Sequence, residues 1–271
     1  MLTFKSLENT KIEIITEALL ESFSDYFVPM RQSIIFWEEY WKRNRVRYDL
    51  SFGAFEDDQL VGFIVNGIDY RDGSLVAFNA GTGVIPTYRG QKLVKQLYNF
   101  AFPFFKKIGI ENFALEVITQ NIKAIKAYQS VGFKVDKLYQ GFCSRIPKVA
   151  FVGNYAAKEV KRANWPIYQS LIKENYSWEF TKAGIEVTPT TFRYFELFHH
   201  NEFIAYYIYN PISDMIVQFE AKDKYAYDAM YDHWQKNFDY LRILNVQHPE
   251  KINFLQQYNF ESYINQFEMI R

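Results

Sequence analysis

Residues 81–97 read GTGVIPTYRGQKLVKQL: Gly81 and Gly83 end an apolar run, Pro86 follows, and Arg89-Gly90 opens a segment with Leu93, Leu97, Phe100 and Phe104 on one helical face. Glycine in a strand marks a bulge or a point where a ligand lies close to the backbone. Pro86 ends the ladder because it has no N–H to donate. The first turn of a helix presents unpaired N–H groups and a positive dipole end, so this strand–turn–helix is suited to cradling a pyrophosphate. The same glycines also fit a turn that needs them for geometry alone. Further along, LEVITQNIKAIKAYQSVGF (115–133) sets Glu116 in an apolar strand, Asn121 at a helix start, Tyr128 late in that helix and Gly132-Phe133 after it. Each has a structural reading too: a solvated strand face for Glu116, an N-cap for Asn121, a core aromatic for Tyr128 and a C-cap for Gly132.

These residues need a sheet to hold them. Thr3–Leu7 reads as a strand, and Asn9 or Thr10 caps a helix with Ile12, Ile15, Leu19 and Phe23 on one face. FSDYFVPM (23–30) breaks that helix at Pro29, and a second helix covers Arg31–Arg43. Leu50–Phe55 and Val61–Val65 form a hairpin about EDDQ, and DYRDG joins Val61–Ile68 to Ser74–Gly83. After the Leu93 helix come a strand at Asn112–Ile118, a helix at Asn121–Ser130 and a strand from Phe133. The order is β, α, α, three antiparallel strands, then α, β, α, β. This is an α/β fold, a mixed sheet with helices on both faces, ending near residue 145.

Two motifs lie in that frame: V-x-P-x-x-R-G at Val84, Pro86, Arg89 and Gly90, and N-x-x-A-x-x-x-Y-x-x-x-G-F at Asn121, Ala124, Tyr128, Gly132 and Phe133. With both in this order, the chain resembles the GNAT superfamily of acetyl-CoA-dependent acyltransferases over roughly residues 1–145. The resemblance implies acetyl-CoA as acyl donor, no metal, and direct transfer to a primary amine of a small molecule or peptide. It implies that the Gly83–Val84 strand pairs with the pantetheine arm and offers an N–H to the tetrahedral oxygen. Tyr128 is then the acid toward the thiolate and Glu116 a base acting through water. Asn121 contacts the pantetheine or orders that water, and Tyr26 and Phe27 wall the acceptor pocket. Arg89, Gly90, Gln91, Lys92, Leu93, Val94 and Lys95 form the phosphate loop. That loop usually reads Q/R-x-x-G-x-G/A; here Lys92 and Val94 replace both small residues. Backbone amides of Gln91–Lys95 still suit a pyrophosphate, Lys92 or Lys95 adds charge, and Val94 takes up room. The alternative reading, a non-catalytic acyl-CoA-binding or regulatory protein on this scaffold, draws on that departure. Retention of Glu116, Asn121 and Tyr128 argues against it. A longer acyl donor is compatible with the aromatic content.

The chain has 271 residues, enough for two domains. Lys plus Arg equals Asp plus Glu at 31 each, which gives no whole-chain case for binding nucleic acid or an anionic membrane. The single cysteine, Cys143, forms no intramolecular disulfide, and no signal-like or spanning apolar run appears, so the expected location is the cytoplasm. His199-His200 lacks the further ligands of a metal site. In the second half, FHHNEFIAYYI (198–208) matches FEDDQLVGFIV (55–65), and VQHPEKINFLQQYNF (246–260) lines up with 119–133. His248, Leu255 and Asn259 there replace Asn121, Tyr128 and Gly132, and the Arg-Gly turn has no counterpart. The expected division is therefore a cofactor-binding domain over 1–147 and a degenerate GNAT-like domain over 148–271. Edge strands of either domain leave a homodimer open.

Overall fold

The structure, a computed structural model, describes residues 1–26, 28–30 and 33–271. One unit comprises Met1–Lys137 together with Phe267–Arg271; the other comprises Leu138–Gln266. The first holds β1 (Leu2–Ser6), α1 (Ile12–Ser22), α2 (Ile34–Arg43), β2 (Phe52–Glu56), β3 (Gln59–Arg71), β4 (Ser74–Val84), α3 (Leu93–Lys107), β5 (Asn112–Ile118), α4 (Ile122–Gln129) and the start of β6 (Lys134–Arg145). The second holds the rest of β6, then β7 (Ala156–Val160), α5 (Trp165–Tyr168), α6 (Lys182–Val187), β8 (Arg193–His199), β9 (Glu202–Asn210), β10 (Met215–Ala221), α7 (Lys224–Asn237), β11 (Tyr240–Val246), α8 (Pro249–Gln257) and most of β12 (Glu261–Ile270).

In the first unit β1 to β4 form an antiparallel meander, and β5 joins β4 in parallel. The β3–β4 turn is Asp72-Gly73 with both residues at positive φ, the pair that matches a hairpin's twist. α3 buries Leu93, Leu97, Tyr98, Ala101 and Phe105. Phe104, expected on that face, is 44% exposed, because at 3.6 residues per turn a row of i+4 steps drifts off the core. α1 starts one or two residues later than expected: Lys11 is its N-cap, without a side-chain hydrogen bond, and neither Asn9 nor Thr10 caps it. α1 ends at Ser22, ahead of Pro29, and Ser33 caps α2 by accepting from the Phe36 N–H.

The boundary expected at 147/148 falls instead at 137/138, and the last five residues return to the first unit. Phe113 and Arg271 exchange both backbone hydrogen bonds, at 2.9 and 3.0 Å. Met269 is fully buried in the first unit's core. Glu268, 1% exposed, accepts a bidentate pair from Arg71 at 2.6 and 2.9 Å and bonds Lys137 at 3.1 Å. A strand arriving from so far along the chain leaves no local pattern.

The second unit repeats the order. β8 and β9 meet at His200-Asn201, both at positive φ, aligned with the Asp57-Asp58 turn of β2–β3, where Asp57 has positive φ. α8 aligns with α4, and Asn259 takes the left-handed conformation of its counterpart Gly132. Residues 222–223 join β10 to α7, whereas residues 85–92 join β4 to α3. Among the described residues, no helix is long and apolar enough to cross a membrane.

Candidate active site

The β4–β5 ladder ends at Asn79↔Leu115, although β4 continues to Val84 and β5 to Ile118. Ala80 is the extra residue of a bulge opposite Val65 and Asn66, which bends β4 at that point. A gap therefore opens between two strands at their C-terminal ends. The Ile85 N–H bonds the Val61 carbonyl, and the alternation of an antiparallel ladder then turns the Gly83 N–H toward β3. Thr82 and Val84 present their N–H groups to the gap instead. Of the Gly83–Val84 pair, Val84 is the one placed to donate to a ligand. Gly83 is glycine for packing: a Cβ there would lie 2.5 Å from the Phe63 ring and 2.8 Å from Ser22 Oγ. At Gly81 a Cβ would meet open space.

The loop that follows has the shape of an anion cradle. Gly90 (φ 80°) and Lys92 (φ 58°) are both left-handed, and Lys92 is the N-cap of α3. The first intrahelical bond runs from the Gln96 N–H to the Lys92 carbonyl, so the N–H groups of Leu93, Val94 and Lys95 precede the ladder. Lys92 thus takes the conformation that glycine adopts freely, at a cost of about 1–2 kcal/mol. Val94 is half-buried against the core beneath α3, and Lys92 and Lys95 are exposed. The Gln96 side chain braces the turn by donating to the Gln91 carbonyl at 2.9 Å. Arg89 is turned elsewhere. Its guanidinium makes a bidentate pair with Asp25 at 2.7 and 2.8 Å and donates to the Ser22 carbonyl at 3.0 Å. Hydrogen bonding to Arg89 holds the Asp25 carboxyl down at about 2. Arg89 therefore fastens the end of α1 to the end of β4, a role invisible while its partner lay 64 residues away.

Tyr128 is 8% exposed among Tyr98, Ile125 and Phe133. Burial pushes its hydroxyl up to about 12, an effect that the side chain of Thr82 partly offsets. Asn121 caps α4 through Oδ1, which accepts from the Ala124 N–H at 3.1 Å, and its side chain also bonds the Tyr26 hydroxyl. The Tyr26 hydroxyl acts electrostatically on Tyr128. The structure thus brings Tyr26, Asn121 and Tyr128 together, and adds Asn79 and Thr82, which the motifs did not reveal. An asparagine within an apolar strand was the signal, since a buried amide needs partners. Glu116 is half-buried; alternation with Leu115 and Val117 turns it to the face opposite α3 and α4. Phe27 lies outside the described residues. Among the described residues, no cluster of His, Cys, Asp or Glu could hold a metal ion.

Residues 16–133 match the family model described as acetyltransferase (GNAT) family. That span lies within the first unit, which is similar to the GNAT acetyltransferases. An N-alpha-acetyltransferase 30 of Schizosaccharomyces pombe is 25% identical over 130 residues, which is 47% of this chain and 79% of that protein. Several solved structures match along the whole chain, two of them over nearly their own full length as well. One is a tandem GNAT protein from the clavulanic acid biosynthesis pathway (TM-score 0.68, 12% identity, 98% of that chain). The other is a GCN5-related N-acetyltransferase from Sphaerobacter thermophilus (TM-score 0.70, 7% identity, 95% of that chain). At these identities they show the fold: two GNAT-type units in one chain.

The second unit also parts its strands, with the β10–β11 ladder covering Met215↔Arg242 and Ile216↔Ile243. Beyond it the chain's own side chains supply the partners. Tyr176 donates to the Phe219 carbonyl at 3.0 Å. Lys251, fully buried on α8, bonds Glu174 at 2.6 Å and both Tyr176 and Glu220 at 2.7 Å. The helix starts are closed to anions as well. Asp223 caps α7, and Glu174 accepts from the Gln247 and His248 N–H groups ahead of α8. A carboxylate at a helix N-terminus repels the phosphate that would otherwise sit there.

Proposed function

We propose that the first unit is an N-acetyltransferase that moves the acetyl group of acetyl-CoA directly to a primary amine of a small molecule or peptide. The observation that carries this reading is the gap between β4 and β5, bordered by the Val84 N–H, by Tyr128 and by the cradle at the start of α3. A pantetheine arm fits such a gap by pairing with the unpaired edge of β4. The amine nitrogen bonds the acetyl carbon, the carbonyl oxygen gains charge against the Val84 N–H, and the C–S bond then breaks. A hydroxyl held near 12 keeps its proton at neutral pH, so Tyr128 meets the departing thiolate as a hydrogen-bond donor.

Only a neutral amine attacks. An α-amine, with pKa about 7.7–8.0, is roughly 10–20% neutral at pH 7, whereas a lysine-type amine near 10.4 is neutral in well under 0.1% of molecules. A water held by the half-buried Glu116 suffices for the first and is a weak base for the second. The S. pombe relative is named as an N-alpha-acetyltransferase. Peptide α-amines are therefore the first acceptors to assay.

The test is calorimetric titration of acetyl-CoA, followed by thiol release in the presence of short peptides with free or blocked N-termini. Binding of one acetyl-CoA per chain and thiol release that needs the free α-amine are expected. Absence of binding overturns the reading, and binding without release to any amine turns it toward the non-catalytic alternative.

A further inference from the structure

Asn79 stands on the last rung of the β4–β5 ladder, where the gap begins, and is 8% exposed. Its Oδ1 accepts from the Gly81 N–H at 2.9 Å. A backbone N–H only donates, so the orientation of the amide is fixed. Its Nδ2 then donates one proton to Thr82 Oγ1 and the other to the Tyr98 hydroxyl, each at 2.5 Å. On a regular strand residues 79 and 82 face opposite sides. The extra residue at Ala80 shifts the alternation by one and brings both side chains to the α3 face, where Tyr98 lies. The bond from Asn79 to Thr82 therefore exists only in the bulged strand, and it stabilises that form over the regular one.

The second unit supplies a control. Its β10–β11 ladder ends at Ile216↔Ile243, as β4–β5 ends at Asn79↔Leu115. Val217 is the extra residue there, between the pairs Ile216↔Tyr209 and Gln218↔Ile208, as Ala80 is between Asn79↔Asn66 and Gly81↔Val65. Ile216 thus stands where Asn79 stands, and its side chain has no hydrogen-bonding group. In that unit the parted strands enclose polar side chains: Tyr176 bonds the Phe219 carbonyl, Lys251 bonds Glu220, and Gln218 donates to the Phe180 carbonyl at 2.5 Å. A filled gap keeps its shape without an amide. Gly81, at the place of Gln218, faces open space, and β5 does not pair with Thr82 or Val84. A strand edge in that state closes or frays unless something holds it.

We infer that Asn79 is a positioning residue that holds the end of β4 in its bulged, open form before any ligand arrives, fixing Gly81 and Thr82 to each other and to α3 through Tyr98. It does for the first unit what the filling side chains do for the second. The use of the open gap by an acyl donor rests on the proposed acetyltransfer; the clamp itself does not.

The clamp is read in the ligand-free protein by residue-resolved amide hydrogen exchange. In the wild type the Gly83 N–H, which faces β3, should exchange slowly, and the Thr82 and Val84 N–H groups, which face the gap, should exchange fast. Asn79→Leu keeps the branching of the side chain and removes all three bonds. It should speed Gly83 exchange by about 10- to 100-fold and leave the amides of β1 and β2 unchanged. Asn79→Asp still accepts from the Gly81 N–H, and the Thr82 and Tyr98 hydroxyls turn to donate to its carboxylate, so it should restore slow exchange. Tyr98→Phe removes one bond and should speed Gly83 exchange by about two- to tenfold, which decides the matter if Asn79→Leu does not fold. Wild-type exchange at Gly83 in Tyr98→Phe and in any folded Asn79→Leu overturns the inference, as does a wild type in which Thr82 and Val84 are as slow as Gly83.

The consequence for the gap is read by calorimetric titration of acetyl-CoA. Affinity should fall by about tenfold or more in Asn79→Leu and be kept in Asn79→Asp, because the slot is then no longer formed in advance. Equal affinity in wild type and Asn79→Leu overturns the role in the gap. Failure of acetyl-CoA to bind the wild type overturns both that role and the acetyltransferase reading, and leaves the exchange result standing for the clamp alone.

Discussion

At the scale of single residues, the site depends on one buried hydroxyl and on which glycines face open space. Replacing Tyr128 with phenylalanine is expected to lower kcat by about 100-fold while the affinity for acetyl-CoA changes less than twofold, because the lost group acts on the leaving thiolate. Burial raises the folded value of Tyr128 above the unfolded value of 10, so its contribution to stability is complete below about pH 10 and fades toward about 12. The wild-type pH–rate profile should therefore rise with amine deprotonation and show no descending limb from this group below about pH 10. The two glycines of β4 separate packing from binding. Gly83→Ala drives a Cβ into the Phe63 ring and should destabilise the fold by about 1–3 kcal/mol in a denaturant titration. Gly81→Ala meets open space and should leave the melting temperature in place; lower affinity for acetyl-CoA would then locate the ligand at that face. Asn121 and Tyr128 could be read from the sequence because one helix spaces them. Asn79 and Thr82 could not, since their meaning comes from the Tyr98 hydroxyl that the Asn79 amide meets on another element.

At the scale of elements, the connections decide which unit can hold the acyl donor. The α3 start is left-handed at Lys92, and Lys92→Gly should relieve about 1–2 kcal/mol of strain against roughly 0.5–1 kcal/mol of added chain entropy. A small net gain in stability is expected, with acetyl-CoA affinity kept or improved, as calorimetry would show. The latch between Arg89 and Asp25 works at the same scale. Asp25 titrates near 2 in the fold against 3.8 outside it, so the latch contributes fully above about pH 4 and is lost as pH falls through about 2. Hydrogen exchange in residues 22–26 should be flat from pH 7 to 4 after correction for intrinsic rates, and Asp25→Asn should raise it throughout. The motifs marked Arg89 as a phosphate ligand because they carry no record of Asp25. The strand–turn–helix itself was legible: β5 spans Asn112–Ile118, and α4 starts one residue after its Asn121 cap. What pattern could not supply was the premature end of the β4–β5 ladder, which depends on a bulge at Ala80.

At the scale of the whole molecule, the repeat was legible through its hairpin turn and its last helix, and the filling of the second gap was not. Lys251 aligns with Ala124, and only the fold shows its ammonium buried between Glu174 and Glu220. Acetyl-CoA should bind with a stoichiometry of one per chain. Lys251→Ala should destabilise the second unit by about 3–5 kcal/mol, because it strands two buried carboxylates; urea titration followed by tryptophan fluorescence measures this. The sheet of the first unit also carries a constraint on time. Domains generally fold as they emerge, the N-terminal one first. Here β5, paired with β4 on one side, lacks its neighbour on the other until Phe267–Arg271 has been made, with Met269 for the core and Arg271 for the edge. Between Lys137 and Phe267 the ribosome must translate the entire second unit, which at about 5–20 residues per second takes on the order of ten seconds. Through that interval the unit bearing the site waits with an open edge. A chain stopped short of Phe267 should accumulate as a chaperone client or a protease substrate, with no partial activity, so that this enzyme's first turnover reports that its synthesis has passed that point.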